Sequence, residues 1–273
     1  MKKLTISHGL LIALALTCVP FASAQNGLPA SQPNRLTIIR EQVKVGHAAG
    51  HAKHEAGWPA AYAKAKSPDY YIALTSMTGS TEAWYLSPFE SCAAEAASMK
   101  RDAKDTVLSA ELDRLALGDA EFITSSTTIQ TMARPDLSLG KFPNAAKMRF
   151  FEIGIFSVRQ GQEEKVDAMF KAYAGARKRV SPDASYRVYN VNAGMPDPTY
   201  LVITSVEDYG EFDRTMAEHM KVFMSATPEE TAIFAKWGEA VMRTETQRFR
   251  VDPVQSYVSK EVRASDPDFW NAK

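Results

Sequence analysis

Apolar positions in the second half of the chain alternate between the two-residue period of strands and the spacing of helices. The segment MRFFEIGIFSV, residues 148–158, is rich in aromatic and β-branched side chains and predicts a strand. The next apolar residues recur with the spacing of one helix face, at Val166, Met169, Phe170 and Tyr173. Further strands are predicted at 186–192, 199–205 and 243–251, with helices from Asp208 to about Met224 and from Thr227, where Glu230 completes a capping box. This β-α-β-β-α-β order is that of a ferredoxin-like unit.

The first half of the chain repeats this pattern. VKVGH at 43–47 aligns with VRQGQ at 158–162, a shift of 115 positions, and the same shift pairs Gly79 with Gly194. The shift grows to 118 further along the chain. The predicted elements of the first copy are strands at 35–43, 69–76, 83–88 and near 126–133, and helical stretches at about 47–65 and 90–118. The sequence therefore predicts an α+β chain of two tandem ferredoxin-like units, at 35–134 and 147–253, joined by a linker at 135–146.

VKVGH at 43–47 and VRQGQEE at 158–164 resemble the start of proteins in the dimeric α+β barrel superfamily. The duplicated topology extends this resemblance over most of the chain. It implies that the two units close one α+β barrel within a single chain, and each sheet has an apolar face that needs such burial. The superfamily includes monooxygenases and haem-binding members, so the resemblance also implies a monooxygenase-like redox role.

The ends of the chain predict an exported protein. Lys2 and Lys3, the apolar run from Leu10 and the small residues at 22–24 have the order of a secretory signal peptide covering residues 1–24. A short linker at 25–34 follows, and the tail at 254–273 is predicted to dock on the body or to stay disordered. We expect a periplasmic or secreted protein with no membrane span and with Cys92, the remaining cysteine, as a small buried thiol.

Charge excludes one class of partner. The chain has 32 basic and 32 acidic residues, and removal of the two lysines in residues 1–24 leaves a net charge of −2. This balance gives no electrostatic basis for binding nucleic acid. A small-molecule ligand and a homo-oligomer remain open as partners.

The segment VGHAAGHAKHEAGW, residues 45–58, contains the candidate chemistry. With the shift of 115, the residues that align with the apolar stripe of the second copy are His51, His54, Glu55 and Trp58. Unit 1 is therefore predicted to place two imidazoles and a carboxylate where unit 2 places its core, beside alanines that leave a gap. With His47, Tyr71 and Trp84, these residues are the ligand-binding candidates, and the predicted ligand is a small apolar or aromatic molecule.

Three roles stay open for these histidines. His51 and His54 lie one helical turn apart, so they can ligate a transition metal, and haem-binding members of the superfamily use a helix histidine. The third role has no ligand at all, as in a structural or interaction module without catalysis. No catalytic residue is assigned, and haem or a transition metal is the cofactor to test.

We predict that the mature protein begins at Gln25. Expression with the native leader in a bacterial host should yield a periplasmic chain lacking residues 1–24, measured by intact mass and N-terminal sequencing. A cytoplasmic chain that retains Met1 would contradict export.

Overall fold

Eight strands form the centre of the described part of the chain. The computed structural model describes residues 27–271, so the predicted signal peptide at 1–24 lies outside them. The strands are β1 (Arg35–Val43), β2 (Tyr71–Ser76), β3 (Glu82–Phe89), β4 (Ile123–Ala133), β5 (Phe150–Val158), β6 (Arg187–Ala193), β7 (Thr199–Val206) and β8 (Val241–Tyr257). All pairs are antiparallel, and the order β1-β3-β2-β8-β5-β7-β6-β4 closes into a barrel.

Residues 27–271 contain ten helices, of which eight connect the strands and two follow β8. They are α1 (Ala48–Glu55), α2 (Gly57–Ala65), α3 (Cys92–Lys104), α4 (Thr106–Asp119), α5 (Glu163–Val180), α6 (Glu211–Met224), α7 (Pro228–Phe234), α8 (Trp237–Ala240), α9 (Lys260–Ser265) and α10 (Pro267–Trp270). None has the length and apolar composition that crossing a bilayer requires.

The predicted architecture is confirmed: two ferredoxin-like units, β1 to β4 and β5 to β8, form one α+β barrel. Within each unit the order of the four strands is 4-1-3-2. Two seams join the units, where β2 pairs with β8 and β4 pairs with β6. Each unit therefore supplies the hydrogen-bonding partners that the other unit's edge strands lack.

The barrel interior is a single apolar core made by both units. Ile38 and Trp84 come from unit 1, and Ile153, Leu201 and Phe249 come from unit 2; all five are fully buried. The rings of Trp84 and Phe249 lie 5.2 Å apart across this core. Since side chains alternate along a strand, the opposite face of each sheet is left for the helices.

Capping residues and a proline explain several boundaries of the helices. Thr227 and Glu230 form the predicted capping box of α7. The long helical stretch expected at 90–118 is divided at Asp105, whose carboxylate accepts hydrogen bonds from two backbone N–H groups of α4. The helix expected at 47–65 is divided at Ala56, before Pro59.

Two expectations need correction. β8 continues to Tyr257 because its second part pairs with β2, which no local pattern reveals, and Pro253 lies at the irregularity in that pairing. Cys92 is exposed rather than buried, since it begins α3 directly after the N-cap Ser91 at the surface. The tail docks on the body: Trp270 is buried, and its indole N–H donates to the carbonyl of Ala146 at 3.0 Å.

We predict that Phe249→Ala lowers the free energy of unfolding by about 3–5 kcal/mol, because it empties a core that both units share. Urea unfolding should still show one cooperative transition. Val45→Ala, at a side chain that is 94% exposed, should change stability by less than about 0.5 kcal/mol. Two separate transitions would contradict a shared core.

Candidate functional site

The helix α1 places two polar side chains against the sheet of unit 1. His51 and Glu55 are 2% and 3% exposed, on the face that the repeat alignment predicts. The Nε2 atom of His51 lies 2.9 Å from Oε2 of Glu41, a buried carboxylate on the helix-facing side of β1. A strand and a helix thus bring these three side chains into one interface.

A second pair lies on the other side of Glu55. Nε2 of His54 is 2.9 Å from the carbonyl oxygen of Leu115 and 2.9 Å from Oδ1 of Asp119, both on α4. The ligand-capable atoms of Glu41, His51 and Glu55 lie within 4.8 Å of one another, and so do those of His54, Glu55 and Asp119. We call these five residues the unit 1 cluster; Glu55 belongs to both of its halves.

Burial dominates the electrostatics of the unit 1 cluster. Burial, the hydrogen bond to Asp119 and the negative charge of Glu41 together raise the pKa of Glu55 to about 9. Near neutral pH, the Glu55 carboxyl therefore carries a proton. Burial also holds the pKa values of Tyr71 and Tyr85 well above their usual range, so both phenols stay neutral.

Glycines bring the helices of unit 1 close together. A Cβ atom on Gly118 of α4 would lie 2.4 Å from the His54 ring, and one on Gly57 would lie 2.6 Å from the Leu115 side chain. At these positions the absence of a side chain permits close helix packing. The helices of unit 1 therefore pack closely at Gly57 and Gly118, beside the alanines from which a gap was predicted.

The other predicted site residues are not members of the unit 1 cluster. His47 is exposed at the start of α1, and Trp58 packs on the side chains of α4. Tyr71 joins an aromatic group with Tyr85 beside the cluster. Trp84 points the other way, into the barrel interior, and its indole N–H donates to Glu82 at 2.8 Å. Position along β3 decides this, because neighbouring residues face opposite sides.

Sequence reasoning missed Glu41 and Asp119, although the repeat contained a signal for both. Shifts of 115 and 118 align the three acids of the unit 1 cluster with three aromatic residues of unit 2: Glu41 with Phe156, Glu55 with Phe170, and Asp119 with Trp237. In unit 2 the Phe156 ring packs edge-on against both other rings, at 5.9 Å and 5.4 Å. Unit 1 therefore has carboxylates where unit 2 has an aromatic cluster.

Haem, which the resemblance implies for some members, does not fit at His51 or His54. Both Nε2 atoms already lie 2.9 Å from protein oxygens. Carboxylates, rather than the apolar side chains that line organic-ligand sites, surround them. The unit 1 cluster suits a bare ion better than a porphyrin.

A large cavity lies in the other unit, between its helices and its sheet. Its volume is about 1140 Å³, which is ample for a small organic molecule. The apolar side chains that line it include Phe156, Met169, Phe170, Phe223, Phe234 and Trp237. Met216 and Phe223 of α6 line the cavity and remain 56% and 46% exposed. Part of the apolar surface of α6 is therefore left uncovered over the cavity, although Phe212 and Val222 of the same helix are buried.

One strand position on the floor of the unit 2 cavity has no side chain. Gly154 of β5 lies in register between Val202 and Thr246 on the neighbouring strands. A Cβ atom on Gly154 would lie 2.9 Å from the ring of Phe156, so the glycine lets this ring lie close to the strand. The Phe156 ring therefore forms part of the floor beside Gly154.

A few polar groups face the unit 2 cavity. Nδ1 of His219 lies 2.8 Å from the Tyr173 hydroxyl, and burial, followed by the charge of Arg177, lowers the pKa of His219. The imidazole is thus neutral near pH 7, and its Nε2 is available to a ligand. Tyr186 also lines the cavity; it is 7% exposed, and its hydroxyl has no hydrogen-bond partner among the described residues.

Two arginines that line this cavity form ion pairs with glutamates of the same lining. Arg177 bonds to Glu218 at 2.8 Å, and Arg248 bonds to Glu152 at 2.8 Å. Each guanidinium is thereby balanced by a carboxylate. The cavity offers no unbalanced charge from these two pairs to a ligand.

Known structures share this fold. No protein-family profile and no curated protein matches the sequence. A "putative monooxygenase" of Fusobacterium nucleatum has a TM-score of 0.52 at 8% identity, over 80% of this chain and 91% of its own. One of the same description from Lactobacillus acidophilus has a TM-score of 0.51 at 10% identity, over 83% and 99%. A variant of chlorite dismutase from Candidatus Nitrospira defluvii has a TM-score of 0.51 at 9% identity, over 86% and 96%. This chain shares its fold with these proteins, and in this chain that fold is an α+β barrel of eight antiparallel strands.

We predict that Glu55→Gln stabilises the metal-free protein. The unfolded chain releases this proton near pH 4.5 and the folded chain near pH 9, so the free energy of unfolding falls as pH rises through that window. Glutamine does not ionise, so this pH-dependent loss of stability disappears. The free energy of unfolding at pH 8 should rise by about 1–3 kcal/mol, measured by urea unfolding with a chelator present. Glu121→Gln, at an exposed position, is the control. Lower stability of Glu55→Gln at pH 8 would show that the ionised carboxylate stabilises the fold.

Proposed function

We propose that this protein is exported and binds a neutral, flat, largely apolar molecule in the unit 2 cavity. The observation that carries the proposal is the cavity of about 1140 Å³, with part of the apolar surface of α6 left uncovered over it. Leaving such side chains against water costs free energy that an apolar ligand would recover. Sequence reasoning placed the ligand in unit 1, where α1 and α2 instead pack closely on α4.

The walls and the polar groups support this class of ligand. The Phe156 ring beside Gly154 can stack on a planar ring system, since aromatic rings stack favourably on one another. Each arginine of the lining is paired with a glutamate, which disfavours an anionic ligand. The free hydroxyl of Tyr186 can donate to one acceptor, such as a carbonyl or hydroxyl oxygen, because a buried hydroxyl without a partner is costly.

Oxidation of the bound molecule is the reaction class that we propose to examine. The fold is shared with the Fusobacterium and Lactobacillus proteins, although a fold hosts many functions. The neutral imidazole of His219 lines the cavity and can accept a proton from a bound phenol or enol. Oxygen consumption in the presence of a ligand that binds would test this step separately from binding.

We predict that N-phenyl-1-naphthylamine, a neutral aromatic probe, binds to the mature protein with a saturable rise in fluorescence. Thr246→Trp places an indole over the floor at Gly154 and should weaken binding at least about tenfold, or about 1.4 kcal/mol. The matched control is Thr128→Trp, at the corresponding register position beside Ile39 of unit 1, which should leave binding unchanged.

Other outcomes decide between the alternatives. The absence of saturable binding, or equal effects of the two tryptophan variants, would favour a structural or interaction module. Tight haemin binding that is lost in His219→Ala would replace the proposed ligand class by haem.

A further inference from the structure

We propose that the unit 1 cluster is a binding site for a divalent transition-metal ion, held by Glu41, His51 and Glu55. His54 of α1 and Asp119 of α4 flank Glu55 and complete the donor set. This site is separate from the unit 2 cavity and does not depend on the function proposed for that cavity.

The first argument is geometric. Three donor atoms from β1 and α1 converge in a buried interface, within 4.8 Å of one another. Glu41 Oε2 and His51 Nε2 are 2.9 Å apart. Neighbouring ligands at right angles on an ion with bonds of about 2.0–2.1 Å would be separated by about 2.9 Å. The two atoms are thus already spaced as adjacent ligands, so an ion could replace the hydrogen bond between them with little movement.

The second argument is the unsatisfied polar atoms. Glu55 Oε1 and Asp119 Oδ1 are buried without a hydrogen-bond partner among residues 27–271. Asp119 Oδ1 does lie 2.9 Å from Nε2 of His54, but that nitrogen is directed at the carbonyl of Leu115. Buried carboxylate oxygens are normally paired or bound to a metal, because their desolvation is costly. A cation beside Glu55 would satisfy an oxygen that the protein leaves free.

The third argument is charge. Within the described residues, the ion pairs of Glu41 and Asp119 are with histidines, and neither acid pairs with lysine or arginine. Three acidic side chains and two imidazoles are therefore enclosed without a permanent positive charge. A divalent cation supplies that charge.

The donor types select the class of metal. Imidazole nitrogen and carboxylate oxygen, with no thiolate, suit Zn²⁺, Fe²⁺, Mn²⁺ or Co²⁺. The repeat strengthens the assignment, since unit 2 fills the corresponding positions with Phe156, Phe170 and Trp237. Aromatic packing is thus sufficient for this fold at these positions, and the polar set of unit 1 has a different role.

The test is Co²⁺ and Zn²⁺ binding to the full mature chain after treatment with a chelator. We expect one Co²⁺ per chain with ligand-field absorption bands, and a rise in melting temperature with Zn²⁺. Because changes in residues that merely support metal ligands cost about 10–100-fold in affinity, His51→Gln and Glu55→Gln should each weaken binding at least about 100-fold. His47→Ala, on the same helix but exposed, is the matched control and should bind as the wild type does.

The variants remain informative if one of them fails to fold. Far-ultraviolet circular dichroism reports folding, and Glu55→Gln is expected to be at least as stable as the metal-free wild type. Absence of Co²⁺ bands in the wild type, or bands that persist unchanged in folded Glu55→Gln, would overturn the site. Loss of metal binding with unchanged binding of N-phenyl-1-naphthylamine would show that the two sites are independent.

Discussion

Closure of the barrel is the constraint on which the rest of the structure depends. A single ferredoxin-like sheet of this chain has one apolar face and two edge strands without partners. The pairing of β2 with β8 and of β4 with β6 resolves both problems at once, because it satisfies the edge hydrogen bonds and encloses the apolar faces. Phe249 and Trp84, from different units, meet in that interior.

Closure also determines where chemistry can occur. The barrel interior is largely filled with side chains, and the large cavity lies outside the sheet, under the helices of unit 2. There are two interfaces between helices and sheet, one in each unit, in equivalent positions. Because neither interface has to hold the two units together, each can change its side chains without opening the barrel.

The two interfaces have diverged in opposite directions. In unit 1, α1 and α4 pack closely at Gly118. Acidic side chains and imidazoles are enclosed between these helices and the sheet. Unit 2 keeps an aromatic cluster around Phe156, and its helix α6 lies over a wide cavity. A close interface favours a small ion, whereas a wide one favours an organic molecule. The same scaffold can thus serve two kinds of ligand in one chain.

The sequence by itself determined the repeat, the order of the elements and the inward face of α1. These depend on local periodicity, and His51 and Glu55 follow the same helical spacing as Val166 and Phe170. The capping box at Thr227 is equally local.

Which residues form each site depends on tertiary packing. Glu41 and Asp119 join His51 and His54 only because a strand and a second helix, distant along the chain, pack on α1. The cavity in unit 2 depends on how far α6 stands from the sheet, a distance that an amphipathic pattern does not encode. Periodicity fixes which face of an element turns inward, whereas the separation and register of packed elements fix what that face meets.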